Sequence, residues 1–255
     1  MSMFDLTGKV AVITGSSRGI GRAAAVSMAE QGARVVVSSR NQTDCDAAAE
    51  TINAAHPGHA IAVACDITRA ADQQHLMDRA REAFGPIDIL VCNAATSFMG
   101  ALLTEITPEQ LRESMEVNLF ANVGLIQKAV GDMTAREDGA IIIVSSIGGH
   151  SGGSPLSGAY AMAKAAETQL ARTLAVELGP KNIRVNCVAP GLTRTELARG
   201  AWEDPARQAQ MLSRTPIKRV AEPEDVAGAI VFLATRAGAF MTGETLIVDG
   251  GKTMA

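Results

Sequence analysis

Tyrosine occurs once in these 255 residues, tryptophan once, and all aromatics together make up 3% of the chain. Basic residues are in deficit, 23 against 27 acidic, for a formal net charge of -4. That argues against a nucleic-acid surface, which needs a basic stripe. No apolar run approaches the ~18 residues of a membrane span. The start, MSMFDLTGKVAVITG, lacks a basic stretch followed by a long apolar core, so no secretory leader is expected. The four cysteines, Cys45, Cys65, Cys92 and Cys187, form no CxxC pair and have no histidine cluster beside them. A disulfide framework and a metal site are therefore not expected. Linkers, repeats and low-complexity segments are also missing. The expectation is one cytoplasmic domain spanning residues 1–255, with a core of reasonable size.

What is present alternates. Short apolar runs at 9–14, 34–39, 60–65, 87–92, 140–146, 183–189 and 244–249 read as strands, with helical patterns between them, the longest over roughly 108–136. Continuous apolar strands separated by helices predict a parallel sheet covered on both faces. Right-handed crossovers make it an α/β, doubly wound, Rossmann-type sheet of seven strands. The least regular stretch, about 190–222, contains Trp202, Met211 and Pro216 and predicts a substrate lid.

The first strand runs into TGSSRGIG, Thr14 to Gly21. Glycines between a strand and a helix allow tight turning and close approach of a phosphate to backbone N–H groups. Gly15, Ser17, Arg18, Gly19, Ile20 and Gly21 are thus candidates to hold a dinucleotide. The second strand ends Ser38-Ser39-Arg40 and carries no carboxylate. An acid there would suit the ribose of NAD, whereas arginines suit the 2′-phosphate of NADP. Arg18 and Arg40 together predict NADP, with Ser39 beside them.

The lone tyrosine is Tyr160 of YAMAK, and Lys164 follows one helical turn later. An ammonium near a phenol favours the phenolate, which suits a general acid or base acting at a carbonyl or alcohol. Ser145 and Ser146 end the preceding strand, within reach of the same substrate oxygen.

These motifs, in this order, resemble the short-chain dehydrogenase/reductase family over nearly the whole chain, from TGSSRGIG to MTGETLIVDGG. The resemblance implies that Tyr160 exchanges the proton and Ser146 polarises the carbonyl. It implies that Lys164 binds the nicotinamide ribose and tunes Tyr160, and that Asn118 joins a proton relay. It further implies cofactor contacts from Asp66 and Ile67 in CDIT, from Asn93 and Ala94 in CNAA, and from Pro190, Gly191, Thr193 and Thr195 in APGLTRT. Asp66 also reads as a helix cap, and Pro190–Gly191 as a simple turn. Two features depart from the family. Ala95 stands where glycine is usual, and the Ser146–Tyr160 spacing is one residue longer, which places an extra residue in GGHSGGSPLSG. Ser151, Ser154 and Ser157 are weaker serine candidates. VVVSSRNQ, NAA and VSSIGG look most like NADP-dependent carbonyl reductases of the dehydrogenase/reductase member 4 type, although the chain ends KTMA rather than in a peroxisomal signal.

The expected function is an NADP(H)-dependent oxidoreductase of small carbonyl and alcohol substrates, assembled as a homotetramer, with no membrane or nucleic-acid partner. An alternative is a 3-oxoacyl-carrier-protein reductase. It would need Arg172, Arg194, Arg199, Arg207, Arg214, Lys218 and Arg219 to form a docking patch. A non-catalytic nucleotide sensor has no use for the serine, tyrosine and lysine.

Overall fold

The computed structural model describes residues 2–97, 102–151 and 155–255. Seven strands form a single parallel sheet in the order β3-β2-β1-β4-β5-β6-β7. They are β1 (Val10–Thr14), β2 (Arg34–Ser39), β3 (Ala60–Ala64), β4 (Ile89–Cys92), β5 (Gly139–Val144), β6 (Ile183–Pro190) and β7 (Thr245–Val248). The helices are α1 (Gly19–Glu30), α2 (Gln42–Ala55), α3 (Ala70–Phe84), α4 (Pro108–Met115), α5 (Ala121–Arg136), α6 (Gly158–Leu178), α7 (Arg199–Trp202), α8 (Pro205–Ser213) and α9 (Pro223–Ala234).

Successive strand side chains point to opposite faces, and both faces are covered. Ala11, Ile13, Val35, Val37, Ile142 and Val144 pack under α1, α2 and α9. Val12, Val36, Leu90, Ile141, Ile143 and Val185 pack under α3, α5 and α6. This explains why the strands read as unbroken apolar runs rather than as alternating ones. β7 is different. It is an edge strand, and its side chains are only partly covered.

The chain moves outward from β1 in one direction and from β4 in the other, so the sheet order reverses between them. A doubly wound sheet opens its ligand crevice at such a point, beyond the carboxyl ends of the strands. The glycine turn after β1 and the Asn93 stretch after β4 both lie there. Helix α9 was not anticipated from sequence. Pro223 at its first turn and the Glu222–Asp225 capping box open it, and its apolar face packs against α1.

Candidate active site

The glycine turn is fixed from three sides. Gly15 and Gly19 have φ of 64° and 58°, a region glycine enters without strain. A Cβ on Gly15 would stand 2.9 Å from Ala94 Cα, and one on Gly21 would stand 2.6 Å from Gly15 O. Asn93 Nδ2 donates to Thr14 O (2.9 Å) and Gly15 O (3.1 Å), while Thr14 Oγ1 accepts from the N–H groups of Asn93 (3.0 Å) and Ala94 (3.1 Å). Asn93 and Ala94 thus brace the turn that would cradle a phosphate. Ser16, which sequence reasoning passed over, is buried. It donates to Ile13 O at 2.6 Å and accepts from Ser38 N–H at 2.9 Å, locking the turn to the end of β2.

Arg18 and Arg40 are both exposed, and neither guanidinium has a hydrogen bond or ion pair among the described residues. Ser39 is partly buried, its hydroxyl near Cys45 Sγ (3.1 Å). Two exposed guanidiniums, no carboxylate at the end of β2, and a glycine cradle that a Cβ would fill together fit a dinucleotide. Asp66 accepts from the Thr68 N–H (3.0 Å) and hydroxyl (2.8 Å), and these bonds hold its carboxyl below the usual range. Ile67 beside it is buried. Asp66 therefore serves the local turn at the entry to α3, and it remains partly exposed at the crevice side. Ala95 takes ordinary backbone. Glu137 and Asn182 are the described non-glycine residues with positive φ, so no glycine is required at 95.

Beyond β6, Pro190 is buried, and a Cβ on Gly191 would stand 2.8 Å from Asp249 Cα. Thr193 is buried and donates to Gly191 O at 3.1 Å. Thr195 brings its Cγ2 to within 3.3 Å of where a Gly19 Cβ would be, so this segment closes over the glycine turn. Trp202 Nε1 donates to Thr195 O at 2.8 Å, and Arg194 lies over the indole at 5.0 Å. The stretch expected as a lid folds into two helices, α7 and α8, and Trp202 ties α7 to Thr195.

Tyr160 and Lys164 both stand on α6. Lys164 is buried, with Nζ 5.5 Å from the Tyr160 ring centroid. It donates to Val144 O at 2.8 Å and pairs with Glu167 Oε1 at 2.9 Å, which uses two of its three N–H groups. Burial disfavours its charge, but the charge and hydrogen bond of Glu167, above all, offset this, so the ammonium is held above its usual range. Tyr160 is partly exposed, and its hydroxyl has no hydrogen bond among the described residues.

The two serines have different tasks. Ser145 donates its hydroxyl to Lys164 O. Ser146 accepts the Gly148 N–H at 3.1 Å, which leaves its own O–H free to be given away. A Cβ on Gly149 would stand 2.7 Å from Lys164 C, so this turn lies directly on α6. Ser151 donates to Ile147 O at 3.2 Å and Ser157 is buried. Ser154 and the neighbouring glycines of the longer loop lie outside the described residues.

Asn118 sits in a π-helical turn, Glu116–Phe120, between α4 and α5. It is buried, with Oδ1 accepting from Thr96 N–H (3.1 Å) and Nδ2 donating to Thr96 O (3.0 Å) and Ser114 O (2.8 Å). Its side chain therefore holds the loop after β4. Three of the seven basic residues considered for a carrier-protein patch are taken up in ion pairs. Arg194 pairs with Glu222 (2.9 Å), Arg199 with Glu196 (2.7 Å) and Arg219 with Asp225 (2.8 Å).

The family profile described as Enoyl-(Acyl carrier protein) reductase matches residues 15–253. Dehydrogenase/reductase SDR family member 4 of Bos taurus is 41% identical over 97% of this chain and 88% of its own length. Cis-4-hydroxycyclohexanecarboxylate dehydrogenase of Sinomonas cyclohexanicum is 42% identical over 96% of each chain. A gluconate 5-dehydrogenase from Burkholderia cenocepacia, solved with NADP and tartrate, superposes with a TM-score of 0.93 at 33% identity, over 99% of this chain and 98% of that one.

Proposed function

Because this chain belongs to the short-chain dehydrogenase/reductase family, we propose that its carbonyl–alcohol chemistry runs on NADP(H) and that Tyr160 carries the proton. That it is an oxidoreductase of this class follows from its relatives. The observation that carries the catalytic reading is Lys164 Nζ 5.5 Å from the only tyrosine ring in the chain.

Gly15, Ser17, Gly19, Ile20 and Gly21 would hold the diphosphate, and Arg18, Ser39 and Arg40 the 2′-phosphate. Asp66, Ile67, Asn93 and Ala94 would line the adenine and ribose side, and Pro190, Gly191, Thr193 and Thr195 the nicotinamide side. When bound, the cofactor supplies or accepts a hydride. The chain supplies the rest. Ser146 gives its free O–H to the substrate oxygen, and a positioned donor of this kind stabilises developing negative charge. Tyr160 passes its proton to that oxygen, or takes it back in the reverse direction. Lys164 faces the phenol, and its third N–H remains for the ribose. Asn118 fixes the loop after β4 that flanks the crevice.

The chain works as one unit over residues 1–255, with α7 and α8 as the lid. A homotetramer is supported by large apolar side chains left exposed: Val176 on α6 is 81% exposed, and Phe240, five residues before β7, is fully so. A reducing, cytoplasmic setting suits four buried free thiols. The carrier-protein reading loses support because Arg194, Arg199 and Arg219 are already paired. The test is turnover with NADPH and NADH against dicarbonyls, aromatic ketones, and acetoacetyl and enoyl thioesters. Carbonyl reduction that requires Tyr160 bears the reading out; turnover confined to enoyl thioesters overturns it.

A further inference from the structure

Glu167 follows Lys164 by three residues on α6 and is completely buried. Besides Lys164, its Oε1 accepts from Asn122 Nδ2 at 3.2 Å, and the same Nδ2 donates to Asn118 O at 2.8 Å. Hydrogen bonds thus run without a break from the Asn118 carbonyl in the π turn through Asn122 and Glu167 to the ammonium beside Tyr160. Two buried acceptors in this line, Glu167 Oε2 and Asn122 Oδ1, have no hydrogen-bond partner among the described residues. Well-packed apolar residues serve stability as well as or better than a buried ion pair, and each orphaned acceptor adds a cost. Stability therefore does not account for the carboxylate.

Its position does. Lys164 Nζ is hydrogen-bonded to Glu167 Oε1 at 2.9 Å, whereas no hydrogen bond joins it to the Tyr160 hydroxyl among the described residues. The other groups facing Glu167 carry no charge. Asn118 and Asn122 are amides, and the thiols of Cys92 on β4 and Cys187 on β6 are pushed up by burial and stay neutral. His150 lies farther along, 3.4 Å from Thr168 Oγ1.

We propose that Glu167 is a positioning residue of the active site, the counter-ion of Lys164, which neutralises part of the charge that Tyr160 feels and so keeps the phenol in the protonated form that serves carbonyl reduction. An unpaired ammonium stabilises a phenolate strongly, whereas one already paired with a carboxylate does so less. The inference rests on Tyr160 as the proton carrier.

Phenolate absorbance provides the test, because the chain's only tyrosine is Tyr160. In Glu167→Gln the phenolate is expected to form at a pH lower by about one unit or more than in the parent protein. An unchanged or higher midpoint overturns the proposal. Should that variant fold poorly, Asn122→Ala with Glu167→Leu removes the charge and both orphaned acceptors, and the same downward shift is expected. The pH profile of kcat/KM for alcohol oxidation should move by the same amount. If absorbance moves and the profile does not, the hold of Glu167 on the phenol stands and the assignment of Tyr160 as proton carrier falls.

Discussion

Ser145 gives its hydroxyl hydrogen to the Lys164 carbonyl oxygen, 2.8 Å away. This bond ties the end of β5 to the middle of α6 and leaves the next residue, Ser146, as the one with a free donor. Ser146→Ala is expected to lower kcat by ~100-fold or more, the usual effect of losing one oxyanion-type donor. Ser145→Ala should instead cost about 1 kcal/mol of stability with a far smaller effect on rate. Steady-state kinetics and thermal unfolding of both variants check this; equal, mild rate effects would move the role elsewhere in the loop.

Tyr160→Phe removes the proton and keeps the ring. Turnover should vanish while NADPH binding, read by fluorescence titration, survives. Activity within a few-fold of the parent enzyme would refute the assignment.

Lys164→Ala should damage more than catalysis. It leaves Glu167 buried without its counter-ion, and breaking such a pair costs about 3–5 kcal/mol. NADPH affinity, rate and melting temperature should all fall. If affinity were untouched, the ribose contact would be wrong.

Stability should vary with pH through Glu167. Burial pushes its carboxyl up from 4.5 to about 7, with Lys164 and Asn122 drawing it back only in part. The folded state therefore holds a proton that the unfolded chain has released, so stability declines as pH rises from about 4.5 to about 7. Lys164 stays charged in both states across that window and adds no slope. Melting temperatures of Glu167→Gln should depend less on pH there, and an identical slope in the two proteins would count against this origin.

Cofactor choice is the fifth test. Each charge-assisted bond to a phosphate is worth about 1.5–3 kcal/mol, so Arg18 and Arg40 together should favour NADPH over NADH by roughly 100-fold or more. Ser39→Asp with Arg40→Leu should reverse the kcat/KM ratio. A parent enzyme that prefers NADH would reduce both arginines to surface charges.

The strands and the glycine turn were legible because their signals are local: β-branched runs, and glycines at a strand–helix junction. Tyr160 and Lys164 were legible because helical spacing places them on one face. Glu167 sits at that same spacing from Lys164, so the signal for it was present in the sequence, but a glutamate on a helix is ordinarily solvated and its burial depends on β4, β6 and α5 closing around it. Ser16 and Asn122 are hidden for a similar reason, since their partners lie on other elements. Asp66 was legible by motif alone, whereas the bonds from Thr68 to one of its carboxylate oxygens, Oδ1, show only in the folded turn. Helix α9 was missed because its apolar run carries little polar alternation to reveal its period.

The π turn at Glu116–Phe120 has a consequence for chain length. Such a turn is an α-helix carrying one surplus residue. Losing a residue elsewhere between Pro108 and Arg136 would rotate everything beyond it by about 100° and tear the apolar face of α5 from the sheet. Losing one from within 116–120 would instead restore regular pitch and leave both flanks in register. Single-residue deletions across this rod should therefore yield a soluble, folded and inactive protein at the bulge, and aggregates on either side of it.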